Sequence, residues 1–573
     1  MKPRIKEMIR EAVHALSQEG AIKTANLPEI IIEKSRKDEF GDFATNVAML
    51  LTPLEKRPPR EIAALIAHKV AASALVKKCD CAGPGFINIF LKEEFWFSIL
   101  KEILDRGAEF GRCDVGKGKK VLLEFVSANP TGPLHIGHGR GAAVGDALAR
   151  ILGAAGHEVT KEFYVNDIGK QVFTLGRSVY YRCLELQKEK KEVIDGFLQR
   201  LQDDYYKGAY IRDVAEEYLA RLGGKGETLD ANLSNLPQEN WFVINSAGYA
   251  LISFAKGRLL DAIKKDLADF GVEFDGYFSE ASLYKPRNIV DETIASLKDS
   301  GFAFDDDGAL WLKTMELAND DKDRVLIKAD GAKTYLASDV AYHRDKLDRG
   351  FDILVNVWGA DHHGYEARIR AALKAFGHDP DKLRIIFIQL VALLRNGVPV
   401  PMGKREGEFV TLRQVMDEVG TDACRFFFLM RKSDAQLDFD LELAKSQAPE
   451  NPVYYVQYAH ARIKSIMAHA GDAALGIDAD ALNLLKEKDE INLIKHLALF
   501  EEAVERAAVE MEPHRVTYYL TELAGIFHPY YNKHRVVTGD PGLTAARIQL
   551  CKAAATVIAN GLTLLGVSAP DKM

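Results

Sequence analysis

The sequence predicts a multidomain α/β protein with a Rossmann-type parallel-sheet core, and three observations support this prediction. The 573 residues are too many for one hydrophobic core, since a domain usually holds ~100–200 residues. Strand-like and helical segments alternate between residues 113 and 446, which is typical of a parallel sheet. Beyond residue 447 every segment has helical periodicity. We therefore expect three domains, at 1–112, 113–446 and 447–573.

The first of these domains combines helical stretches with one clear strand signal. The segment Cys79–Leu91 alternates apolar and polar residues around a Gly-Pro-Gly turn, so it predicts a strand in a small α/β unit. The first helix of the chain interleaves Glu7 and Glu11 with its apolar residues, whereas a signal peptide needs an uninterrupted apolar stretch. This terminus is therefore expected to belong to the folded domain.

The second domain begins with a strand, a loop and a helix in close succession. Val121–Val126 is a short apolar run of strand type, Ser127–Pro133 is a loop, and a helix is expected from about Gly137 to Ala155. Nucleotide-binding α/β folds use this order, because the helix N-terminus then faces the bound phosphates.

The rest of the second domain predicts an interrupted sheet. Residues from about 185 to 275 are helical and rich in charge, which indicates an insertion between two halves of the core. Strand-like sequence resumes at Phe351–Asp361 and, after a helix, at Leu383–Leu394. Since the third domain has only helical periodicity, we expect an all-α bundle there.

Composition and charge limit the possible classes of function. Hydrophobic residues make up 47% and charged residues 28% of the chain, so it lacks the low hydrophobicity of disordered proteins. The net charge of -8 means that any nucleic-acid surface must be local. The six cysteines lack zinc-ligand spacing, so we expect reduced thiols and no structural zinc. The apolar runs are shorter than the ~20 residues of a membrane span, and we expect a cytoplasmic protein that contacts no membrane.

The most specific local pattern is His135-Ile136-Gly137-His138 at the predicted helix start. A helix N-terminus presents unpaired N–H groups to the polyanion ATP, and Gly137 lets the nucleotide approach the backbone closely. The two imidazoles can then contact phosphate oxygens. An alternative is that the two histidines only cap the helix or pack against it.

This pattern, together with the segment Pro401–Leu412, resembles the two signatures of class I aminoacyl-tRNA synthetases. In that class the second signature is a mobile loop whose lysines reach the pyrophosphate end of ATP. Met402 and Lys404 match the class pattern, so one of the two usual lysines is present. The positions that depart from the pattern are Pro401, Gly403 and Arg405. By itself this segment could also be a charged hairpin.

Within the class, the stretches Glu124–His138, Tyr335–Lys346 and Trp358–Tyr365 are similar to arginyl-tRNA synthetases nearly residue for residue. The guanidinium of arginine is a planar cation with five N–H donors, so a selective pocket needs carboxylates and hydroxyls in its plane. Asp339, with Tyr335 one helical turn before it, fits that need. The resemblance implies that both bind the guanidinium together with Glu124, and that Ser127 and Asn129 hold the α-amino end.

The resemblance also implies roles for individual residues of the core. The expected catalytic residues are His135, His138 and Lys404. The expected ATP-binding residues are Pro133, His135, Gly137, His138, Gly359, Asp361, His362, Met402 and Lys404. The expected arginine-binding residues are Glu124, Ser127, Asn129, His135, Tyr335, Asp339 and His363. Asn166 and Asp167 should lie beside the site, and whether they touch a ligand or brace the loop is left open.

Both flanking domains resemble the RNA-binding parts of the same family. Residues Glu39–Leu50 and Gly83–Leu91 are similar to the N-terminal additional domain that grips the tRNA elbow. Asn451–Ile466 resembles the start of the anticodon-binding helical domain, and His528–Val536 interleaves aromatic and basic residues as single-stranded RNA recognition requires. The expected tRNA contacts are Phe86, Asn88, Tyr454, Tyr458, Arg462, Tyr531, Lys533 and Arg535. Some of the tyrosines could instead pack inside the bundle.

The resemblance implies a monomeric enzyme that joins L-arginine to tRNA(Arg) with ATP and Mg²⁺, and that requires tRNA for the activation step. No segment resembles an editing domain. The alternatives are another class I synthetase, such as the cysteinyl or glutaminyl enzyme, a small nucleotidyltransferase sharing the His-x-Gly-His pattern, or a catalytically silent tRNA-binding paralogue. A cysteinyl enzyme would carry zinc-spaced cysteines, a nucleotidyltransferase would not need two RNA-binding flanks, and a silent paralogue would not need His135, His138 and Lys404.

Overall fold

A computed structural model describes residues 1–24, 27, 29–35, 38–202, 204–230, 233, 246–400, 410–471 and 481–573. In chain order its strands are β1 (Ile32–Lys34), β2 (Phe43–Thr45), β3 (Val76–Ala82), β4 (Phe86–Leu91), β5 (Lys120–Glu124), β6 (Glu158–Val165), β7 (Gly276–Ser279), β8 (Ala303–Asp306), β9 (Ala309–Leu312), β10 (Arg324–Ile327), β11 (Ile353–Gly359), β12 (Leu383–Ile388), β13 (Val391–Arg395), β14 (Val398–Pro399) and β15 (Leu437–Asp440).

The helices are more numerous and follow the same numbering. They are α1 (Lys2–Gln18), α2 (Val47–Glu55), α3 (Pro59–Ala71), α4 (Glu93–Arg106), α5 (Ile136–Ala154), α6 (Lys170–Leu186), α7 (Lys191–Leu201), α8 (Ala209–Gly224), α9 (Ser246–Asp269), α10 (Ile289–Asp299), α11 (Thr314–Ala318), α12 (Tyr335–Asp348), α13 (Glu366–Ala375), α14 (Leu412–Val419), α15 (Thr421–Phe428), α16 (Leu441–Lys445), α17 (Pro452–Ala470), α18 (Lys488–Leu497), α19 (Phe500–Val509), α20 (His514–Lys533) and α21 (Pro541–Leu565).

A five-stranded sheet in the order β12-β11-β5-β6-β7 forms the centre of the molecule, and all its neighbouring strands are parallel. This confirms the predicted parallel α/β core. The chain winds outward from β5 in both directions, so the carboxyl ends of β5 and β11 are a topological switch point, where such sheets bind ligands. Glu124, the last residue of β5, lies in register with Asn356 of β11 and Glu162 of β6.

The apolar run at Leu383–Leu394 serves two sheets. Its first half is β12 at the edge of the parallel sheet, while its second half is β13, which pairs with β14 and β15. Gln389 and Leu390 form the break between the strands. This division brings the chain past the carboxyl end of the sheet and directly into the ligand cleft.

Two smaller units are packed onto the core. Helices α6 to α9 share a hydrophobic cluster of their own in the region expected as an insertion. The antiparallel sheet β10-β9-β8 packs with α10 to α13 on the side of β11 and β12. It places Trp311 and Arg324 near the N-terminus of α12.

The N-terminal unit is an antiparallel sheet, β1-β2-β4-β3, covered by α1 to α3. Helix α4 leaves this sheet and packs against α18 and α21 of the C-terminal helices. Two polar contacts reinforce this arrangement: Lys495 Nζ lies 2.5 Å from a carboxylate oxygen of Asp42, and Asn560 Nδ2 donates to the carbonyls of Gly107 and Phe110 at 2.9 Å. The two ends of the chain are therefore in contact with one another.

Helices α17 to α21 form the C-terminal bundle, as the periodicity predicted. Among the described residues, α21 alone is long and apolar enough to cross a membrane by length and composition, and 67% of its most apolar window is buried inside the protein. Its Arg547 donates to the fully buried Glu490 at 2.8 Å. Helix α21 is thus the central helix of the bundle.

Candidate active site

A cleft of about 760 Å³ opens at the carboxyl ends of β5, β11 and β12. Its walls come from the loop after β5, the first turn of α5, and the segments that follow β11 and β12. The lining residues are Val126, Ser127, Ala128, Asn129, His135, Gly137, His138, Gly141, Val357, Trp358, Gly359, Ala360, Asp361, His362, Ile388, Gln389 and Leu390. Several residues that were expected to bind ATP or arginine therefore share one cavity.

His135 and His138 cap the N-terminus of α5 reciprocally. His135 Nδ1 accepts the backbone N–H groups of Gly137 at 3.1 Å and His138 at 3.3 Å, and His138 Nδ1 accepts the N–H of His135 at 3.3 Å. The two rings are stacked, with centroids 3.6 Å apart. The two histidines therefore cap the helix, which was the alternative considered above. Both of them also line the cleft.

These hydrogen bonds also fix the chemical form of both imidazoles. Burial lowers the pKa of His135, and burial with the neighbouring His135 lowers the pKa of His138 to about 3, so both rings are neutral at pH 7. Because each Nδ1 accepts a hydrogen bond, the proton of each neutral ring resides on Nε2. The site thus holds two neutral N–H donors at the positive end of a helix dipole.

The loop after β5 begins with an unusual backbone. Val126 and Ser127 have φ angles of 66° and 41°, a region that β-branched residues rarely occupy, and Ser127 N–H donates to the carbonyl of Phe125 at 2.9 Å. This tight turn directs Ser127 Oγ back to Glu124, to which it donates at 2.9 Å, while it accepts the N–H of Tyr164 at 3.2 Å. Strain at this point fixes the mouth of the cleft beside Glu124.

Glu124 is held by a buried cation that we did not anticipate. Lys346, fully buried on α12, donates from Nζ to Glu124 Oε2 at 2.7 Å and to Asn356 Oδ1 at 2.9 Å. Asn356 in turn donates to His343 Nε2 at 2.8 Å, and His343 Nδ1 donates to the carbonyl of Asp339. One polar network therefore joins Glu124 to the helix that carries Asp339.

Asp339 and Tyr335 stand on the same face of α12, one turn apart. The hydroxyl of Tyr365 donates to Asp339 Oδ2, and burial raises the pKa of Asp339 to about 6. Tyr335 is 69% exposed, so its ring is accessible to a ligand. Asp339 has no basic side chain bonded to it among the described residues, in contrast to Glu124, so its charge is not neutralised by a bonded cation.

A second acid lies behind Asp339. Burial and the neighbouring Asp339 carboxylate raise the pKa of Glu280 to about 7. The Asn166 amide donates to Glu280 Oε2 at 3.1 Å. Asp167 accepts from Lys256, from Ser279 Oγ at 2.8 Å and from the N–H of Ala281. Asp167 therefore braces its loop against β7 and the residues that follow it.

The segment after β11 offers three polar side chains in different surroundings. Asp361 and His362 are exposed and line the cleft, together with Gly359. His363 instead stacks on Phe387 of β12, with ring centroids 3.7 Å apart, and is not among the residues that line the cleft. Pro133 is exposed at the end of the loop after β5, also outside the lining of the cleft.

Residues 401–409 of the second signature, which include Met402, Lys404 and Arg405, fall outside the described residues. Thr411 pairs with His135 in an antiparallel bridge, and Leu412 N–H donates to the carbonyl of Leu134 at 2.8 Å. The segment therefore rejoins the described structure directly beside the first signature.

Four of the expected RNA contacts of the helical domain, Tyr458, Arg462, Tyr531 and Arg535, line one cavity of about 1070 Å³. Arg462 lies over the rings of Tyr458 and Tyr531, at 4.7 and 4.5 Å from their centroids, and Tyr454 stacks on Tyr458. Arg535 also lines this cavity, while Lys533 is paired with Asp489 at 2.6 Å. In the N-terminal sheet, Phe86 is 39% exposed but Asn88 only 7%, so Phe86 alone offers a large accessible side chain.

Sequence reasoning missed three residues that shape the site: Lys346, Tyr365 and Arg140. Lys346 and Tyr365 ended two of the stretches quoted above, so their position there was the available signal. Fully buried Arg140 donates to the carbonyl of Gln389 at 2.8 Å and to those of Lys432 and Ala435, and so holds the far wall of the cleft. Its carbonyl partners are remote in sequence, so no local pattern could have identified it.

Three family models match successive parts of the chain. Residues 3–91 match the model described as arginyl tRNA synthetase N terminal domain, and residues 99–437 match tRNA synthetases class I (R), catalytic domain. Residues 456–573 match the DALR anticodon binding domain. The three matches follow one another along the chain without overlap.

Curated and solved relatives resemble the chain over most or all of its length. An arginine–tRNA ligase of Syntrophotalea carbinolica is 49% identical, with 100% of both chains covered. The solved structure of a putative arginyl tRNA synthetase from Campylobacter jejuni is 34% identical, with a TM-score of 0.73, and the alignment covers 84% of this chain and 100% of that one. Thermus thermophilus arginyl-tRNA synthetase, at 24% identity and a TM-score of 0.76, has the same fold over 100% of both chains.

Proposed function

Since this chain belongs to the arginyl-tRNA synthetase family, we propose that its cleft activates L-arginine with ATP and transfers the arginyl group to tRNA(Arg). The observation that carries the proposal is that the His135–His138 helix start lines the cleft at the switch point, while the Asp339 carboxylate interacts electrostatically with Glu124 and with His362 of the cleft wall. A phosphate-binding helix end and a carboxylate able to receive a guanidinium are what the two small substrates require.

In the first step the α-carboxylate of arginine attacks the α-phosphorus of ATP in line, and pyrophosphate leaves. Neither substrate needs a protein nucleophile, so the rate gain comes from positioning and from stabilising phosphate charge. His135 and His138 each aim an Nε2–H donor from the helix start, and neutral donors suit this place because the helix dipole already supplies positive potential. Lys404, with Met402, is proposed to complete the pyrophosphate end.

Asp339 is proposed to receive the guanidinium, with Tyr335 beside it. Glu124 is already neutralised by Lys346, so its free lone pairs and those of Ser127 suit the α-ammonium end, together with Asn129. A site of this kind leaves buried polar groups unpaired when lysine or ornithine binds, and such sites discriminate strongly without editing. His362 and Asp361 are proposed to contact ATP, since both line the cleft. His363 is proposed to support the site by stacking on Phe387.

Mg²⁺ is proposed to enter with ATP. Among the described residues, no group of three or more His, Cys, Asp and Glu side chains could hold a metal ion. The ion is therefore expected to be held mainly by phosphate oxygens, where it neutralises charge on the β- and γ-phosphates. Asp361 is the exposed carboxylate of the cleft that could reach its water shell.

The second step requires the 3′ end of the tRNA in the same cleft. The 2′-hydroxyl of the terminal adenosine attacks the arginyl carbonyl, and AMP leaves. The aromatic and basic cavity around Arg462 is proposed to bind the anticodon loop, and the N-terminal sheet near Phe86 to contact the tRNA elbow. Because the N-terminal helix α4 packs on the C-terminal bundle, tRNA bound to both could order the cleft, so activation is expected to require tRNA.

One assay tests this proposal directly. ATP–pyrophosphate exchange is measured with each of the twenty amino acids, with and without tRNA(Arg) rigorously freed of other RNA. We expect exchange with arginine alone and only when tRNA is present. Exchange with another amino acid would contradict the proposed specificity for arginine. Strong exchange without RNA would contradict the proposed tRNA requirement.

The protein is further proposed to act as a monomer in the cytoplasm. Its three domains bring both RNA-binding surfaces and the whole cleft into one chain, so no second copy is needed to complete the site. Light scattering at working concentration should give the mass of one 63.7 kDa chain, and a dimer mass would refute this.

A further inference from the structure

Three buried polar residues form a row across the parallel sheet beneath α12. Asn356 of β11 lies in register with Glu124 of β5, and Glu124 lies in register with Glu162 of β6. Because side chains alternate along a strand and residues in register share a face, all three point to the same side of the sheet. We call Asn356, Glu124 and Glu162 the polar row.

Helix α12 is hydrogen-bonded to every member of the polar row. At one end of the row, the hydroxyl of Tyr342 donates to Glu162 at 2.6 Å, and Arg349 donates to both oxygens of the same carboxylate at 2.7 and 2.9 Å. In the middle of the row, Lys346 donates to Glu124 at 2.7 Å. These three donors recur at intervals of one helical turn, so a single face of α12 contacts the row.

Asn356 forms the other end of the row and uses both polar atoms of its amide. Its Oδ1 accepts from Lys346 at 2.9 Å, and its Nδ2 donates to His343 Nε2 at 2.8 Å. Burial lowers the pKa of His343 well below its usual value, so the ring is neutral and its Nδ1 donates to the carbonyl of Asp339 at 2.8 Å. Asn356 therefore connects the sheet, through one ring, to the turn of α12 that carries Asp339.

These hydrogen bonds fix the position of α12 along the sheet. Apolar contacts have no preferred direction, so a helix packed by them alone can slide or rotate at small cost. A buried hydrogen bond requires close alignment of its atoms, and a shift of the helix would leave buried polar atoms unpaired. Buried networks whose members are all bonded therefore favour one arrangement of the packed elements over its neighbours.

The position of α12 in turn sets the separation of two carboxylates in the proposed arginine site. Glu124 belongs to the sheet and is proposed to bind the α-ammonium end, whereas Asp339 belongs to α12 and is proposed to receive the guanidinium. A slide of α12 by one residue moves Asp339 by about 1.5 Å, which is close to the length that one methylene adds to a side chain. A misplacement of about 1 Å in a reacting substrate can lower its rate ~10²-fold.

We propose that Asn356 is a positioning residue that sets the length of the amino-acid side chain accepted by the site. It holds α12 at one place on the sheet through His343 and Lys346, so that the separation of Glu124 and Asp339 fits arginine. An amino acid whose guanidinium is carried by one methylene fewer or one more then fails to meet both carboxylates. This inference rests on the proposed function, because it concerns how the same site selects its substrate.

The test measures kcat/KM for arginine and for its analogues with one methylene fewer or one more, by aminoacylation of tRNA(Arg) with the full-length protein. The parent should prefer arginine to both analogues, since one methylene typically changes kcat/KM ~10–200-fold. In Asn356→Leu, the ratio of kcat/KM for arginine to that for at least one analogue should fall ~10-fold. This ratio does not depend on the amount of folded enzyme, so a loss of stability alone cannot change it.

Two further variants separate positioning from stability. Asn356→Leu combined with His343→Phe replaces both partners of one hydrogen bond by apolar groups, so neither is left unpaired and the double variant should be more stable than Asn356→Leu. Its ratios should fall as in the single variant. Val355→Ala is the matched control: Val355 is fully buried on the opposite face of β11, so its truncation should lower the unfolding temperature and leave both ratios unchanged.

The outcomes distinguish this inference from the proposed function. If the parent uses arginine but accepts either analogue equally well, or if the ratios of both Asn356 variants stay within about twofold of the parent's, Asn356 does not set the accepted length. If Val355→Ala changes the ratios as much, a general loosening of the sheet explains the effect and the inference fails. If the parent charges no tRNA with arginine, the proposed function itself fails. A fall of the ratios in the Asn356 variants alone supports the inference.

Discussion

At the scale of single residues, Asp339 is the group whose ionisation should govern arginine use. Its raised pKa of about 6 means that the carboxylate is charged at pH 7.5 and becomes protonated as the pH falls through 6. We therefore expect kcat/KM for arginine to fall about fivefold between pH 6 and pH 5, since this ratio reports the ionised fraction of the free enzyme. Aminoacylation rates at limiting arginine across this range measure it.

Two variants decide whether Asp339 is responsible. Asp339→Asn should lower kcat/KM for arginine by the equivalent of several kcal/mol of transition-state stabilisation, because the buried guanidinium loses its charged partner. The variant should also lose the pH dependence of kcat/KM near pH 6. Glu280 also has a raised pKa, of about 7, and lies next to Asp339, so Glu280→Gln is the matched control. This variant should keep the fall of kcat/KM between pH 6 and pH 5. An unchanged arginine KM in Asp339→Asn would exclude it from the pocket.

Lys346 is the second residue with a strong expected effect. Lys346→Met leaves the Glu124 carboxylate buried without its cation, and such a break typically costs ~3–5 kcal/mol of unfolding free energy. The double variant Lys346→Met, Glu124→Gln removes the lone charge and should regain much of this stability while arginine use stays impaired. Urea unfolding measures the first effect, and arginine KM the second. Equal stability of the single and double variants would contradict the pairing.

At the scale of elements, the start of α5 combines a structural and a chemical role that substitution can separate. His135→Ala removes the cap and should cost ~1 kcal/mol of stability as well as activity. His135→Asn can still accept the N–H groups of Gly137 and His138, so stability should return, but it lacks the Nε2–H donor and activity should not. Thermal unfolding and single-turnover adenylate formation measure the two roles. Full activity in His135→Asn would mean that the ring only caps.

The loop at 401–409 should depend mainly on its lysine. A preorganised charge donor is worth ~2.7–4 kcal/mol at a transition state, so Lys404→Ala should slow arginyl-adenylate formation ~10²–10³-fold with little change in arginine KM. Arg405→Ala should cost much less, and the double variant should approach complete loss. Single-turnover measurements with tRNA present test this. A loss below about threefold in Lys404→Ala would reject the assignment of the loop.

At the scale of the whole molecule, Arg425 joins three parts of the chain. This fully buried residue of α15 donates to Asp146 of α5 at 2.6 Å, to the carbonyl of Leu565 at the end of α21 and to that of Phe270 after α9, both at 3.0 Å. The active-site helix is thus fastened directly to the last helix of the C-terminal bundle. RNA binding at the bundle could act on the cleft through this contact.

Breaking this junction should be costly. Arg425→Met removes the one fully buried cation bonded to Asp146 and leaves two carbonyls without their donor, so we expect the unfolding free energy to fall by ~3–5 kcal/mol. Arg150→Met removes the other arginine bonded to Asp146, which is 39% exposed, and should cost less than ~1 kcal/mol. Denaturant unfolding of both variants provides the comparison. Similar losses in the two would mean that burial does not set the strength of the Arg425 contact.

The sequence by itself determined the fold class, the three-domain order and the family. These follow from local patterns: strand-like runs alternating with helices, a His-x-Gly-His at a helix start, and helical periodicity to the last residue. Such patterns repeat within a few residues, because the backbone geometry of a strand or helix sets their period. The Tyr335 and Asp339 pair was equally readable, since its members are one helical turn apart.

Only the tertiary structure decided which distant residues contact one another in the site. Lys346 meets Glu124 across 222 positions of the chain, Arg140 reaches Gln389 across 249, and Arg425 reaches Asp146 across 279. The burial of Asn88 and the stacking of His363 likewise depend on which elements pack together. Contacts of this kind leave no periodic trace in the sequence, because packing of distant elements brings their partners together, and the protonation states that follow from burial exist only in the folded molecule.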